Sequence, residues 1–263
     1  MRFAGFSLAL SPILILSACQ QGAAANHAAP ASVPGSATVA TTQDVTLTAA
    51  DGTSIFGTYY RAAKPKALIL LFHQAGSSRH EYDPIAPRLA AEGYEALAID
   101  QRSGGTLYGP NATVDHLGHS ADYRAAEADL QAALDWAGKQ GRPVILWGSS
   151  YSAALVFRIA AANPGKVAAV IAFSPGEYLW QPHLVAAAAG KVTVPVFVTS
   201  ARDADEIAAA RTILAASPAA TKVQFVPPRA GIHGASALRS DRNAAGAADY
   251  WHAVDAFLAK LTH

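Results

Sequence analysis

The feature that most constrains this chain is a series of short apolar runs that alternate with helix-like segments through residues 43–263. Most of these runs lack the apolar–polar alternation of a half-exposed strand; they occupy residues 67–72, 95–99, 144–147, 167–173, 194–199 and 222–226. The helix-like segments occupy residues 85–92, 121–139, 151–162, 205–216 and 247–261. This order predicts an α/β fold, in which helices cover both faces of a mostly parallel sheet.

Two further runs, residues 45–49 and 55–60, flank the dipeptide Asp51-Gly52 and predict a β-hairpin at the start of the domain. The sheet is therefore expected to contain eight strands. Because no internal repeat and no shift of composition divides residues 43–263, we expect a single domain there.

The charge pattern narrows the classes of partner. The formal net charge is +1 over 263 residues, and the sequence contains no block of basic residues, which argues against nucleic acid as a partner. Of the nine histidines only His116 and His119 lie close together, and neither has a neighbouring cysteine or carboxylate cluster to complete a metal site. We therefore expect no metal ion.

The first 18 residues have the features of a signal peptide: one basic residue, an apolar stretch, and small residues before Cys19. The apolar stretch is shorter than the roughly 20 residues that a membrane-spanning helix needs, and Pro12 interrupts it, so a transmembrane segment is the weaker interpretation. Residues 20–42 are rich in Ala, Ser, Thr, Gly and Pro without hydrophobic periodicity, and they predict a flexible linker.

The segment Leu16-Ser17-Ala18-Cys19 resembles the lipobox of bacterial lipoproteins, in which the chain is cut before the cysteine and the thiol receives a diacylglyceryl group. The resemblance implies a mature chain of residues 19–263 that is lipid-anchored in the bacterial cell envelope. Gln20 after the cysteine favours the outer membrane, with the domain facing the periplasm. The alternative is an ordinary secretory signal in which Cys19 is incidental.

The segment WGSSYSAA, residues 147–154, lies between a predicted strand and a predicted helix, which is the context of a nucleophile elbow. In such a turn the residues two positions before and after the nucleophile must be small, because strand and helix pack closely there. Ser149 has large neighbours at those positions, and Ser152 lies inside the helix. Ser150, flanked by Gly148 and Ser152, satisfies both demands and is the predicted nucleophile.

This arrangement resembles the α/β-hydrolase family, whose motif is Gly-x-Ser-x-Gly and whose triad follows in the order Ser, acid, His. The resemblance covers about residues 43–263, with Ser152 in place of the second glycine. A helix start capped by a serine is the alternative interpretation of the five-residue motif alone.

The resemblance also implies the other two members of the triad. The loop after residues 194–199 is similar to the family's acid loop and assigns the acid to Asp203; Asp205 and Glu206 are close competitors that also fit the acidic first turn of the next helix. The loop after residues 222–226 is similar to the family's histidine loop, including a glycine after the histidine, and assigns the general base to His233.

The family's oxyanion hole uses the N–H after the nucleophile, here that of Tyr151, and a second N–H from the loop after the third strand. That loop resembles the family's His-Gly-x loop, with Gln74 in place of the usual glycine. By position the second donor is the N–H of Ala75, with Gln74 as the alternative. His73 is expected to brace the loop.

The implied reaction is acyl transfer to water from a small-molecule carboxylic ester, without a cofactor. Residues 174–193 are too few for a helical cap domain, and the capless core most resembles the dienelactone-hydrolase-like branch, whose type member has a cysteine nucleophile. Tyr178 and Trp180 are candidates for substrate binding. A serine peptidase of the same fold and a non-catalytic, lipid-anchored binding protein remain as alternatives.

Overall fold

The computed structural model describes residues 41–261. The predicted signal peptide, Cys19 and the linker up to residue 40 lie outside these residues. Within residues 41–261 a single sheet contains eight strands, as predicted: β1 (Thr41–Thr48), β2 (Ser54–Arg61), β3 (Ala67–Phe72), β4 (Tyr94–Ile99), β5 (Val144–Ser149), β6 (Ala169–Phe173), β7 (Val196–Thr199) and β8 (Lys222–Phe225).

The strands follow one another across the sheet in the order β1-β2-β4-β3-β5-β6-β7-β8. β1 and β2 form the predicted antiparallel hairpin, and β2 is antiparallel to β4. All pairs from β4 and β3 to β7 and β8 are parallel. The loops that follow the parallel strands therefore meet at one edge of the sheet, where α/β proteins place their sites. β1 begins at Thr41, two residues before the predicted domain boundary.

Seven α-helices accompany the strands within the described part of the chain: α1 (Ala86–Ala91), α2 (Ala112–Leu117), α3 (Glu127–Gly138), α4 (Tyr151–Ala162), α5 (Leu184–Ala189), α6 (Ala204–Ala216) and α7 (Ala247–Ala259). Five of them correspond to predicted helical segments. The helices α2 and α5, each of six residues, were not predicted. α2 nevertheless carries local signals, since Asn111 caps its start and the left-handed Gly118 ends it.

The core has two layers, one on each face of the sheet. In β3, Leu68, Leu70 and Phe72 pack into the layer beneath α3 and α4, whereas Ile69 and Leu71 pack into the layer beneath α1 and α7. All six residues of β3 are buried. The strand lacks apolar–polar alternation because both of its faces are covered.

The segment between β6 and β7 adds little over the edge of the sheet where the loops after the parallel strands meet. Residues 174–195 contain one short helix, α5, so no large cap domain is inserted there, as predicted. Among residues 41–261 no helix is both long enough and apolar enough to cross a membrane.

Candidate active site

Ser150 occupies the sharp turn between β5 and α4, with φ of 58° and ψ of −120°. A non-glycine residue rarely adopts a positive φ, and such strain is typical of a nucleophile elbow. The N–H of Ser150 donates to the Phe173 carbonyl at 2.8 Å, which anchors the turn to β6. A Cβ atom on Gly148 would lie 2.3 Å from the Ser152 carbonyl oxygen, so the close approach of strand and helix requires glycine there.

His233 lies in the loop after β8 and faces Ser150. The His233 Nε2 atom is 2.8 Å from Ser150 Oγ, so the structure brings together the two residues predicted as base and nucleophile. The Ser150 residue is 9% exposed and the His233 side chain 38% exposed. Neither residue is therefore completely enclosed.

The carboxylate that contacts His233 belongs to Glu206 and not to Asp203, the acid assigned from the sequence. Glu206 Oε1 lies 2.8 Å from His233 Nδ1. The Asp203 side chain instead caps α6, where it accepts hydrogen bonds from the N–H groups of Asp205 and Glu206 at 3.0 and 3.2 Å. A carboxylate in that position is oriented toward the helix amides and does not contact the histidine.

A local signal could have identified the acid. Asp203 and Glu206 are separated as in a capping box, in which the first residue caps the helix and the acid three positions later reaches back toward the preceding loop. Glu206 reaches back two residues beyond the cap residue: its Oε2 atom accepts the N–H of Ala201 at 3.0 Å, just after β7. This contact holds the other oxygen toward His233.

The surroundings of Glu206 favour its ionised form. Burial alone would raise the pKa of this carboxyl, but hydrogen bonds from His233, the Ala201 N–H and the Ser174 hydroxyl outweigh burial and lower the pKa below its ordinary value. Glu206 is therefore a carboxylate at neutral pH. It favours the His233 tautomer that carries a proton on Nδ1 and leaves Nε2 free to accept one from Ser150.

Two backbone N–H groups beside Ser150 remain available. Among residues 41–261, neither the N–H of Tyr151 nor that of Ala75 has a hydrogen-bond acceptor. The alternative donor is excluded, because the N–H of Gln74 donates to the buried carboxylate of Glu81 at 2.8 Å. Of the three predicted oxyanion donors, Tyr151 and Ala75 are thus compatible with the geometry and Gln74 is not.

His73 braces the loop after β3, as expected from the sequence. Its Nε2 atom accepts the N–H of Gln101 at 3.0 Å, so its Nδ1 atom carries the proton and donates to the Gln74 carbonyl at 2.8 Å. Burial lowers the pKa of His73 and keeps the ring neutral. Ser152, which replaces the usual glycine, donates its hydroxyl to the His73 carbonyl at 2.6 Å and thereby joins the elbow helix to this loop.

The two residues predicted to bind substrate differ in exposure. Tyr178 is half-buried and donates its hydroxyl to the Ser174 carbonyl at 3.1 Å. Burial, with a smaller contribution from the charge of Glu206, raises the pKa of Tyr178 to about 12. Trp180 is 81% exposed and adopts a φ of 63°, so its indole is available to a ligand.

The comparisons with known proteins concern the family and the fold. Residues 63–222, which include Ser150 and Glu206, match the family described as serine aminopeptidase S33 (Hydrolase_4). A search of curated proteins found no match.

Several solved structures share the fold. An esterase from Pyrococcus furiosus superposes with a TM-score of 0.65 at 17% identity, over 85% of this chain and 94% of that chain. A dienelactone hydrolase from Anabaena variabilis gives 0.60 at 22% identity, over 74% and 88%. A putative dienelactone hydrolase from Klebsiella pneumoniae gives 0.62 at 22% identity, over 83% and 98%. At these identities the likeness establishes a common α/β-hydrolase fold, and with the match over residues 63–222 the chain belongs to the Hydrolase_4 family of α/β-hydrolases.

Proposed function

We propose that this protein is a serine hydrolase that cleaves small carboxylic esters with Ser150, His233 and Glu206. The observation that carries the proposal is the pair of 2.8 Å contacts on the two ring nitrogens of His233, one to Ser150 Oγ and one to Glu206 Oε1. Nucleophile, base and orienting acid are thereby joined in series.

The geometry supports a two-step reaction. His233 Nε2 takes the proton of the Ser150 hydroxyl as Oγ attacks the ester carbonyl, and Glu206 stabilises the resulting imidazolium. The N–H groups of Tyr151 and Ala75 stabilise the negative charge that develops on the carbonyl oxygen. The imidazolium then protonates the leaving alcohol, and a water molecule activated by His233 releases the acid from Ser150.

Two observations favour esters over peptides as substrates. The segment between β6 and β7 adds no cap domain to the core, and the structural neighbours named above include an esterase and dienelactone hydrolases. Trp180 and the partly exposed ring of Tyr178 provide an aromatic surface for the acyl group. Peptide cleavage remains the second candidate, because the family description names a serine aminopeptidase.

A substrate panel separates the two candidates. We expect the purified protein to hydrolyse short p-nitrophenyl esters, with little turnover of aminoacyl p-nitroanilides. Ser150→Ala should abolish turnover, whereas Ser240→Ala, which alters an exposed serine, should leave it unchanged. Anilide turnover that exceeds ester turnover would favour the peptidase, and equal turnover by Ser150→Ala would exclude the proposed nucleophile.

We also propose that Cys19 carries a lipid and holds the domain at the bacterial envelope, on the outer membrane. The support is the sequence Leu16-Ser17-Ala18-Cys19, which resembles a lipobox, together with Gln20. Expression in a bacterium with an alkyne-labelled fatty acid should label the wild-type protein and not Cys19→Ala. A Cys19→Ala protein that still partitions with membranes would contradict the anchor.

A further inference from the structure

We propose that Glu81 is a positioning residue whose carboxylate fixes three segments of the catalytic site relative to one another: the loop after β3, the end of β5, and the loop after His233. This inference rests on the proposed function, because it concerns how the same site is held.

The two oxygens of Glu81 accept hydrogen bonds from three distant parts of the chain. Oε2 accepts the N–H of Gln74 at 2.8 Å. Oε1 accepts the Ser149 hydroxyl at 2.8 Å and the N–H of Ser236 at 3.2 Å. Ser149 Oγ in turn accepts the N–H of Ala235 at 2.8 Å, so that β5 and the histidine loop are also joined directly.

Each anchored atom lies next to a group that acts in the proposed reaction. Gln74 precedes Ala75, and Ser149 precedes Ser150. Ala235 and Ser236 follow His233 by two and three residues. The bond from Gln74 has a further effect, since it fixes the orientation of that peptide group and leaves the next N–H, that of Ala75, for the oxyanion.

The backbone that carries Glu81 is itself held from both sides. Glu81 lies in a 3₁₀ helix, Arg79–Tyr82. The Tyr82 hydroxyl donates to the Phe72 carbonyl at 2.7 Å. Arg239 Nη1 donates to the carbonyl of Glu81 at 3.1 Å. Glu81 therefore has a fixed base from which its carboxylate reaches the three segments.

A carboxylate suits this position better than other side chains. Glu81 is completely buried, and no arginine or lysine side chain among residues 41–261 hydrogen-bonds to its carboxylate. Burial of a carboxylate without an ion pair is unfavourable, so its hydrogen bonds must offset that cost. A glutamine has the same shape but one oxygen, and its amide group would face either the Gln74 N–H or the Ser236 N–H, donor against donor.

The ionisation of Glu81 provides a readout that packing alone would not give. Burial raises the pKa of Glu81 to about 7, while its hydrogen bonds and the charge of Arg239 act in the opposite direction. When Glu81 is protonated, its O–H group faces the three donors that its carboxylate accepts from. The ionised form is therefore the one that fixes the three segments relative to one another. Other titratable or charged groups on the elements packed around Glu81 are Arg79, His80, Tyr82, His73, Asp100 and Tyr151.

The test compares Glu81→Gln with Glu95→Gln. Glu95 is a second buried glutamate, but it lies in β4 near the opposite edge of the sheet, 3.7 Å from Arg142. For a p-nitrophenyl ester we expect Glu81→Gln to lower kcat at least about tenfold with KM changed less than about threefold, because preorganised donors act on the transition state. Glu95→Gln should keep kcat within about twofold at a similar loss of thermal stability.

The pH profile gives the second readout. The acid limb of log kcat/KM should be steeper in the wild type than in Glu81→Gln by one proton, because only the wild type must lose the proton of Glu81 to hold the site. If Glu81→Gln does not fold, Ser149→Ala, which removes one of the three bonds, should lower kcat about threefold to tenfold in a folded protein.

The outcomes separate this proposal from the proposed function. An active wild type with an equally active Glu81→Gln would overturn the positioning role alone, as would equal losses of kcat in Glu81→Gln and Glu95→Gln. A wild type that cleaves no ester but reacts with a fluorophosphonate would overturn the ester assignment, and slower labelling of Glu81→Gln would still support the positioning role. A wild type that reacts with neither would overturn both.

Discussion

Glu206 Oε1 lies 2.8 Å from His233 Nδ1, although Glu206 belongs to the first turn of α6 rather than to the loop after β7. Asp203, on that loop, caps the helix instead. The two acids therefore have separate roles, one beside the histidine and the other in the stability of α6.

Substitutions at these two positions should affect different properties, catalytic activity at position 206 and stability at position 203. Glu206→Gln removes the charge that stabilises the imidazolium and permits the wrong tautomer of His233, so kcat/KM should fall about 10²- to 10⁴-fold. Asp203→Ala should lower the free energy of unfolding by about 0.5–2 kcal/mol through the lost helix cap, with kcat/KM within about threefold of wild type. Steady-state kinetics and urea unfolding measure both. A larger loss of activity in Asp203→Ala than in Glu206→Gln would restore Asp203 as the acid.

Gly148 should tolerate no side chain. A Cβ atom there would lie 2.3 Å from the Ser152 carbonyl oxygen and 2.6 Å from the Ala153 nitrogen, both in the backbone of α4. We expect Gly148→Ala to lower the free energy of unfolding by more than about 3 kcal/mol and to abolish esterase activity. Gly138→Ala is the matched control, since nothing lies within 4 Å of its Cβ position and it ends a helix. A Gly148→Ala protein as stable as Gly138→Ala would show that strand and helix are not packed as described.

Stability should change with pH through Glu81. The pKa of this carboxyl is about 7 in the folded protein, compared with 4.5 for an unperturbed glutamate. Because the folded state binds the proton more tightly, the contribution of Glu81 to stability is largest below pH 4.5 and declines as pH rises through 7, by about 3 kcal/mol in total.

The comparison with Glu81→Gln isolates this contribution. The free energy of unfolding of the wild type, relative to that of Glu81→Gln, should fall between pH 4.5 and pH 7. Urea unfolding at several pH values measures this difference. Activity should change in the other direction over the same range, because ionised Glu81 holds the site. A difference that is constant with pH would mean that the pKa of Glu81 is not raised.

Trp180 should contribute to substrate binding without a contribution to stability. Its side chain is 81% exposed, so Trp180→Ala should leave the unfolding temperature unchanged within about 1 °C. If the indole contacts the acyl chain, KM for p-nitrophenyl octanoate should rise about threefold to tenfold, and KM for the acetate should stay within twofold. Equal effects on the two esters would exclude an acyl-chain contact.

The alternation of strands and helices was predictable because it depends on burial. β3 to β7 are buried on both faces, and that requirement shows in the sequence as continuous apolar runs. The tight turn at Ser150 was predictable for a steric reason, since it demands small residues at 148 and 152. The assignment of His233 followed from the resemblance of the loop after the last strand to the family's histidine loop.

The acid could be identified only from the capping-box spacing of Asp203 and Glu206, and not from burial or from the sterics of a turn. Asp203 and Glu206 differ by three positions, and the choice between them depends on which one the helix amides engage. Glu81 carried no signal, because its role depends on contacts with Ser149 and Ser236, 68 and 155 residues away in the sequence. Contacts of that range are properties of the folded chain and not of a local pattern.

The most direct measurement of the central assignment is the site of covalent labelling by a fluorophosphonate, mapped by peptide mass spectrometry. In the wild type we expect one adduct, which forms when Ser150 Oγ attacks phosphorus and displaces fluoride. Labelling should be absent in Ser150→Ala and at least about 10²-fold slower in His233→Ala. An adduct on Ser149, Ser152 or another serine, or labelling that persists in Ser150→Ala, would contradict the account.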